Sequence, residues 1–300
     1  MSDLNAAMAE IAQKTEQFLD QHLTAQQLST PLPAPDRLVD AVRHGALNGG
    51  KRLRPVLVHL TAHLFETPKG DLVQAGAAIE YVHCYSLVHD DLPDMDDDDL
   101  RRGKPTVHKA YDPATAILAG DALLTHAFAL LADKNCHPDP ALRNQLVIEL
   151  VHGAGVGGMA GGQMRDVEGE RKGYDPETIS LIHAMKTGAL IRAAVRIGAL
   201  MGGANVEELT SLTAFGEAAG RIYQLADDIL DATQSSEQLG KTAGKDEAQG
   251  KSTLIASHGL DHANAVMRQE LQSALSLLAP FGDRAAPLAQ LVTHFAERTS

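Results

Sequence analysis

PATAILAGDALLTHAFALLADK, residues Pro113–Lys134, is the stretch whose reading decides the fold class. It is long, rich in Ala and Leu, and opens on a proline, which suits the first turn of a helix because no N–H is needed there. From Asp36 onward the chain repeats this texture, with long Ala/Leu stretches separated by short Gly, Pro or Asp interruptions. Upstream, Leu4, Met8, Ile11, Phe18 and Leu19 follow the three- and four-residue spacing of an amphipathic helix, which the PLPAP at 31–35 should stop. Sustained alternation of apolar and polar β-branched residues is missing, and aromatic residues make up only 4% of the chain, with no Trp. The expectation is an all-α protein, a single large helical bundle of roughly ten or more elements. Cores can grow to about this chain length, so residues 1–300 are read as one domain.

The formal charge of −13 argues against nucleic acid or an anionic membrane as partner, since both select excess Lys and Arg. Phosphorylated small molecules need only a local cationic cluster or a metal. Cys84 and Cys136 have no metal-ligand spacing and are too few for a disulfide framework, which fits a reducing, cytoplasmic setting. The N-terminus lacks the basic start and apolar run of a signal peptide. No run is read as reaching the roughly 18 apolar residues of a membrane span, so no membrane insertion is expected.

Chemistry concentrates in two acidic segments. HDDLPDMDDDDLRRGKPTVH, residues His89–His108, carries seven aspartates between 90 and 99 and two arginines directly after. Two carboxylates about 4 Å apart repel by about 1 kcal/mol in water and about 4 kcal/mol at an effective dielectric near 20. A partly buried cluster therefore demands cations or protons; an exposed acidic loop is the plainer alternative. In YQLADDILDAT, residues 223–233, Asp227, Asp228 and Asp231 interrupt an apolar helical pattern. Asp227 and Asp231 lie four apart, on one helical face, where they can share a hard cation. Carboxylates without His or Cys suit Mg²⁺, which commonly shares its shell with substrate phosphates. Several such ions around one diphosphate would make it a better leaving group.

With these motifs in order, the chain resembles the trans-prenyltransferase (polyprenyl synthase) family, and within it the bacterial branch making fifteen-carbon products. The resemblance runs over nearly the whole chain: GGKRLRP at 49–55, DDLPDMD at 90–96 with its trailing RRG, GGQMRD at 161–166, KTG at 186–188, and QLADDILD at 224–231 followed by GK at 240–241. It implies the isoprenoid-synthase type of helical bundle with a central substrate cavity, and a homodimer. It further implies that Asp90, Asp96 and Asp227 bind several Mg²⁺ ions, with Asp91, Asp228 and Asp231 in support. Arg101, Lys186 and Lys241 would hold the allylic diphosphate. Lys51, Arg54, His83 and Arg102 would hold the diphosphate of the homoallylic substrate through direct cations rather than metal.

Asp90 and Asp96 pose a geometric difficulty. Six residues turn an ideal helix through about 240°, so the pair can share a metal only if the helix loosens near Pro93. Asp94 sits at the i+4 position from Asp90, and either joins the metal site or is simply solvated.

The reaction implied is ionisation of dimethylallyl or geranyl diphosphate, attack by isopentenyl diphosphate, and loss of a proton to the departing pyrophosphate. The product would be farnesyl diphosphate. Thr187, Gln224 and the carbonyl near Lys186 resemble the polar groups that stabilise the allylic cation in this family, and closure of the site would exclude water. Tyr85 lies five residues before Asp90, about 7.5 Å along a helix axis. A bulky residue there resembles the fifteen-carbon pattern, so Tyr85 is read as the floor of the chain-elongation pocket, with a purely structural aromatic as the other reading.

Two further motifs mislead. Gly153–Gly158 satisfies GxGxxG without a βαβ context, and is read as close helix packing or a bend. Gly250-Lys251-Ser252 ends like a P-loop but lacks the upstream glycine, so Lys251 is assigned to a substrate-closing loop. Rival readings are a geranylgeranyl or geranyl diphosphate synthase, a terpene cyclase, which needs no second diphosphate site, and an inactive regulatory homologue, which would be expected to lose one acidic motif.

Overall fold

Asp71 begins the helix around which the first half of the chain is organised: its carboxylate accepts from the N–H groups of Val73 (2.9 Å) and Gln74 (3.0 Å), capping a helix that runs Leu72–Asp90. The computed structural model describes residues 2–29, 31–172, 174–233 and 259–297. Contacts divide it into two compact units, one of Ser2–His59 and Lys69–Val147, the other of Leu60–Pro68 and the described residues from Ile148 onward.

In the first unit α1 (Ser2–His22) buries Leu4, Ile11, Phe18 and Leu19, as the spacing predicts, and a short α2 (Ala25–Leu28) follows. After the proline-rich stop come α3 (Asp36–Ala46), α4 (Leu53–Ala62) and α5 (Leu72–Asp90). The central helix α5 is apolar on nearly every side, burying Ala75, Ala77, Ala78, Ile79, Tyr81, Val82 and Val88. A helix of that kind must be surrounded, and α1, α3 and α7 (Pro113–Ala132) pack on it. Each fully buried Ile, Val or Leu contributes about 1.5–3 kcal/mol. Helix α7 begins as its proline predicts, with Asp112 capping Thr115 N–H (2.8 Å) and pairing with Arg37 of α3 (2.6 Å).

Between α5 and α7 lies the one ladder among the described residues. Strands β1 (Leu100–Arg101) and β2 (Lys104–Pro105) form a minimal antiparallel hairpin, followed by the four-residue α6 (Val107–Ala110). With that exception the all-α expectation holds. The membrane reading needs correction at α7, which is long and apolar enough, by length and composition, to cross a bilayer. Asp121 and His126 hide this when unbroken apolar runs are counted, because Ala, Leu and Ile raise the average around them. Within the chain, 33% of that apolar window is buried, and Ile117 and Leu118 lie exposed.

Helix α8 (Pro140–Ala154) starts in the first unit and ends in the second, where α9 (Met159–Lys172), α10 (Pro176–His183), a π-helical turn (Ala184–Gly188) and α11 (Ala189–Gly202) follow. The long α12 (Val206–Thr233) packs against α11, α13 (Leu260–Leu278) and α14 (Ala286–Glu297), the last two joined by a 3₁₀ segment at Ala279–Ala285. Phe215 and Phe295 are fully buried, and Tyr223 meets Phe295 edge to face at 5.4 Å between ring centroids. Glu149, Arg196 and Thr213 tie α8, α11 and α12 together, with Arg196 donating to both Glu149 oxygens at 2.6 and 2.7 Å. The GxGxxG segment is the turn between α8 and α9, and a Cβ on Gly153 would come within 2.7 Å of Ala193 Cβ. It is a packing contact, as expected.

Candidate active site

Helix α5 ends where the first acidic motif begins. Asp91 caps it, and the chain then turns sharply: Met95 and Asp97 N–H donate to the Leu92 carbonyl, while Asp96 N–H donates to the Asp90 carbonyl at 2.8 Å. The ideal-helix angle of about 240° therefore does not apply between Asp90 and Asp96. The helix stops altogether, and a six-residue turn folds Asp96 back over the helix end. Asp90 is half-buried, Asp96 exposed, and Asp94 exposed at the tip of the turn.

Asp91 is different in kind. Only 3% exposed, it receives Arg101 Nε at 2.7 Å and Nη2 at 2.5 Å on a single oxygen. Burial pushes its carboxyl up, with Arg101 acting against that. Arg101 sits at the end of β1, whose partner β2 is reached through Arg102-Gly103, both at positive φ (53° and 76°). That is the requirement of a tight two-residue hairpin. A non-glycine residue in the left-handed region costs roughly 1–2 kcal/mol. Arg102 offsets this with hydrogen bonds to Asn48 Oδ1 (3.0 Å) and the Gly49 carbonyl. The hairpin thus sends its two arginines opposite ways, Arg101 to the acidic turn and Arg102 to the glycine loop.

Gly50 is required there. Its φ is +130°, and a Cβ would lie 2.5–2.7 Å from the Arg102 guanidinium. The next residues divide by burial: Lys51 is exposed, Arg54 half-buried with a buried Nε that has no hydrogen-bond partner, and Arg52 almost wholly buried. Arg52, also at positive φ, donates to Glu80 (2.7 Å), Glu16 (2.6 and 2.9 Å) and the Ala46 carbonyl (2.7 Å). Sequence reasoning missed it, because GGKRLRP reads as uniformly basic. The signal was Glu80, an acid inside the otherwise apolar α5.

His83 lies among these cations. Burial, then Arg54, Arg102, Arg52 and Arg101, hold its pKa well below the usual histidine range, so the ring is neutral. It enters the set as a hydrogen-bonding group rather than a further cation, a correction to the direct-cation reading. Cys84 next to it is inert, its thiol pushed up to about 12 by burial and Glu80. Tyr85 is half-buried and stands edge-on to His89 (5.6 Å), whose Nε2 meets the Ile117 carbonyl at 2.9 Å above Gly120. Burial raises the Tyr85 hydroxyl, and the charge of Asp90 adds to the effect.

In the second unit KTG falls within the π turn, a distortion common at functional sites. Lys186 Nζ meets Asp166 Oδ2 at 2.7 Å, joining KTG to the final residue of GGQMRD. Gly162 allows this approach, since a Cβ there would sit 2.3 Å from Lys186 N. Helix α12 crosses the turn through Gly220, and a Cβ on Gly220 would come 2.7 Å from Gly188 Cα. One turn further along α12, Gln224 Nε2 donates to Asp228 Oδ1 at 3.1 Å, and Asp227 and Asp228 are half-buried. Thr187 is likewise half-buried, and Asp231 lies one helical turn beyond Asp227. Lys241 and Lys251 lie outside the described residues.

The first unit thus gathers Asp90, Asp91, Asp96, Arg101, Arg102, Arg54, His83 and Tyr85, and the second gathers Lys186, Thr187, Gln224, Asp227 and Asp228. The sequence matches the polyprenyl synthetase family over residues 35–284. It is 44% identical over 258 residues to farnesyl diphosphate synthase of Escherichia coli K12, covering 85% of this chain and 86% of that one. It is 41% identical over 283 residues to geranylgeranyl pyrophosphate synthase 3 of Arabidopsis thaliana (91% and 78% covered). The crystal structure of an FPP/GFPP synthase from Zymomonas mobilis superposes with a TM-score of 0.85 at 36% identity, covering 98% of this chain and 99% of that one. The chain belongs to the polyprenyl synthetase family.

Proposed function

We propose that this chain is a farnesyl diphosphate synthase, condensing isopentenyl diphosphate with dimethylallyl and then geranyl diphosphate. The observation that carries the reading is the division within the first unit. Asp90 and Asp96 form an acidic helix end, while Arg102 turns to the Gly49 carbonyl and, with Arg54, surrounds neutral His83 with positive charge. One diphosphate held through metal and another held by side chains is what elongation needs. A terpene cyclase has no use for the second.

The donors fit Mg²⁺: Asp90, Asp96 and Asp227 offer hard oxygens with no thiolate or imidazole, and Asp228 and Asp231 extend the set. When bound, such ions supply charge neutralisation to the departing diphosphate. Arg101 and Lys186, with Lys241, hold the allylic diphosphate by charge-assisted hydrogen bonds. The Asp91 pair engages Arg101 through Nε and Nη2, fixing the plane of the guanidinium. Lys51, Arg54, His83 and Arg102 hold isopentenyl diphosphate. The allylic C–O bond breaks with both electrons leaving on pyrophosphate, the isopentenyl double bond attacks the cationic carbon, and pyrophosphate removes the proton. Asp228 takes the Gln224 amide N–H, which turns the amide oxygen and its partial negative charge toward other partners, among them the cation, alongside Thr187.

Tyr85, which feels the charge of Asp90, supports fifteen carbons as the stopping point. The identity to a geranylgeranyl synthase supports twenty as the second reading. The family match spans both compact units, which supports reading 1–300 as one working domain. Exposed Ile117 and Leu118 on apolar α7 support a homodimer, and a cytoplasmic enzyme fits the acidic, cysteine-poor chain. Incubation with isopentenyl and dimethylallyl diphosphates and Mg²⁺, followed by product chromatography, should give mainly farnesyl diphosphate. A mainly twenty-carbon product would overturn the length assignment, and no elongation would overturn the activity.

A further inference from the structure

A third cluster contains none of the residues assigned to either diphosphate set, although Asp97 directly follows Asp96. Asp97, Asp99 and His108 place one ligand atom each within 4.8 Å of one another, at the root of the β1–β2 hairpin. The two aspartates are exposed; the His108 side chain is 2% exposed, and its Nε2 is buried with no hydrogen-bond partner. The carboxylate of Asp97 is the nearest to it, 4.0 Å away, too far for a hydrogen bond.

The tautomer can be read from its neighbour. Thr106 has one hydroxyl hydrogen, and it goes to the Asp98 carbonyl at 2.9 Å. Toward His108 Nδ1, 3.1 Å away, the same oxygen can therefore only accept. Nδ1 carries the hydrogen, which leaves Nε2 as the ring position turned to the cluster. An imidazole nitrogen and two carboxylates facing each other are satisfied by a shared proton or by a cation, and three ligand atoms this close suit a cation. An imidazole whose second nitrogen is fixed by a hydrogen bond to protein is also the usual arrangement of a metal-ligating histidine. Asp97 holds its position through a left-handed backbone (φ 47°) and its N–H bond to the Leu92 carbonyl. Lys109 Nζ occupies Asp99 Oδ1 at 2.7 Å, which leaves that carboxylate a second oxygen.

We infer that Asp97, Asp99 and His108 bind a borderline divalent cation, Zn²⁺ or Mn²⁺, at a site distinct from the all-aspartate motifs. One nitrogen and two carboxylate oxygens, with solvent completing the shell, suit these ions better than Mg²⁺, which prefers oxygen alone. The ion bridges residues on either side of the hairpin and so pins the segment that carries Arg101 and Arg102.

The test is pulsed EPR of the full-length protein loaded with one equivalent of Mn²⁺ and no diphosphate. Nitrogen-14 modulation from a coordinated imidazole is expected in the wild type, because the all-aspartate motifs offer no nitrogen. It should vanish in His108→Gln. Asp97→Asn, at an exposed position, should weaken Mn²⁺ and Zn²⁺ binding about tenfold or more, as loss of a supporting group does at metal sites. Lys109→Gln, which removes the competing cation, should tighten it. Absence of nitrogen modulation in the wild type would overturn the assignment. So would modulation that survives His108→Gln, or, should that variant not fold, binding unchanged in both Asp97→Asn and Lys109→Gln.

Discussion

The Asp96 N–H donates to the Asp90 carbonyl at 2.8 Å, so two acidic residues six apart in sequence are tied backbone to backbone. The tie does not involve either side chain. Asp96→Asn should therefore leave the melting temperature within about 2 °C while lowering kcat by about 10²–10³-fold, the scale of losing one charge-stabilising group. Asp94→Asn, at the exposed tip of the same turn, should change kcat less than about threefold. Steady-state kinetics on both variants checks the contrast, and equal losses would return Asp94 to the metal set.

Arg52 and Glu80 make a buried pair through Glu80 Oε1, and Glu80 Oε2 has no hydrogen-bond partner. Removing only the cation strands a buried carboxylate, so Arg52→Met should destabilise by about 3–5 kcal/mol. Arg52→Met combined with Glu80→Gln should recover much of that in denaturant unfolding. A single variant as stable as wild type would show the pair to be dispensable.

His83 has a lowered pKa in the folded state, so the unfolded chain binds its proton first on acidification. Its contribution is fully present above the ordinary histidine value near 6.5 and is lost as pH falls below it. Between pH 7.5 and 5.5 the wild type should lose more stability than His83→Gln, measured by urea midpoints at each pH. Parallel losses would remove His83 from the account.

Tyr85 packs edge-on to His89 beside Asp90. Tyr85→Ala removes the ring and should shift products from fifteen toward twenty carbons or more, with turnover retained. Chromatography of dephosphorylated products decides it, and an unchanged length would leave Tyr85 a packing residue.

The helices were legible because periodicity and proline placement are local. Leu4, Ile11, Phe18 and Leu19 all went inward, and Pro113 opened α7 where expected. The hairpin was not, since two-residue strands have no period to detect, although Arg-Gly between Leu100 and Pro105 suits a tight turn. Motif residues were read as one chemical class and then separated by burial. Arg52 turned inward beside Lys51, and Asp91 was taken by Arg101 while Asp90 and Asp96 stayed accessible. His83 was identified as a residue but not in its charge state, which depends on burial and then on four arginines brought together by folding. Asp166 was quoted within GGQMRD without a role, because its partner Lys186 lies 20 residues away.

The π turn at Ala184–Gly188 holds one residue more than a regular turn would, between α10 and α11. A widened turn takes up its extra residue locally, so deleting one would let the segment relax into continuous α-helix with its flanks still in register. The loss would fall on the turn itself, because the widening is what sets Lys186 against Asp166 and Gly188 against Gly220. In this segment the number of residues constrains the protein more tightly than their identities, so homologous chains should tolerate substitution here well before they tolerate a change of length.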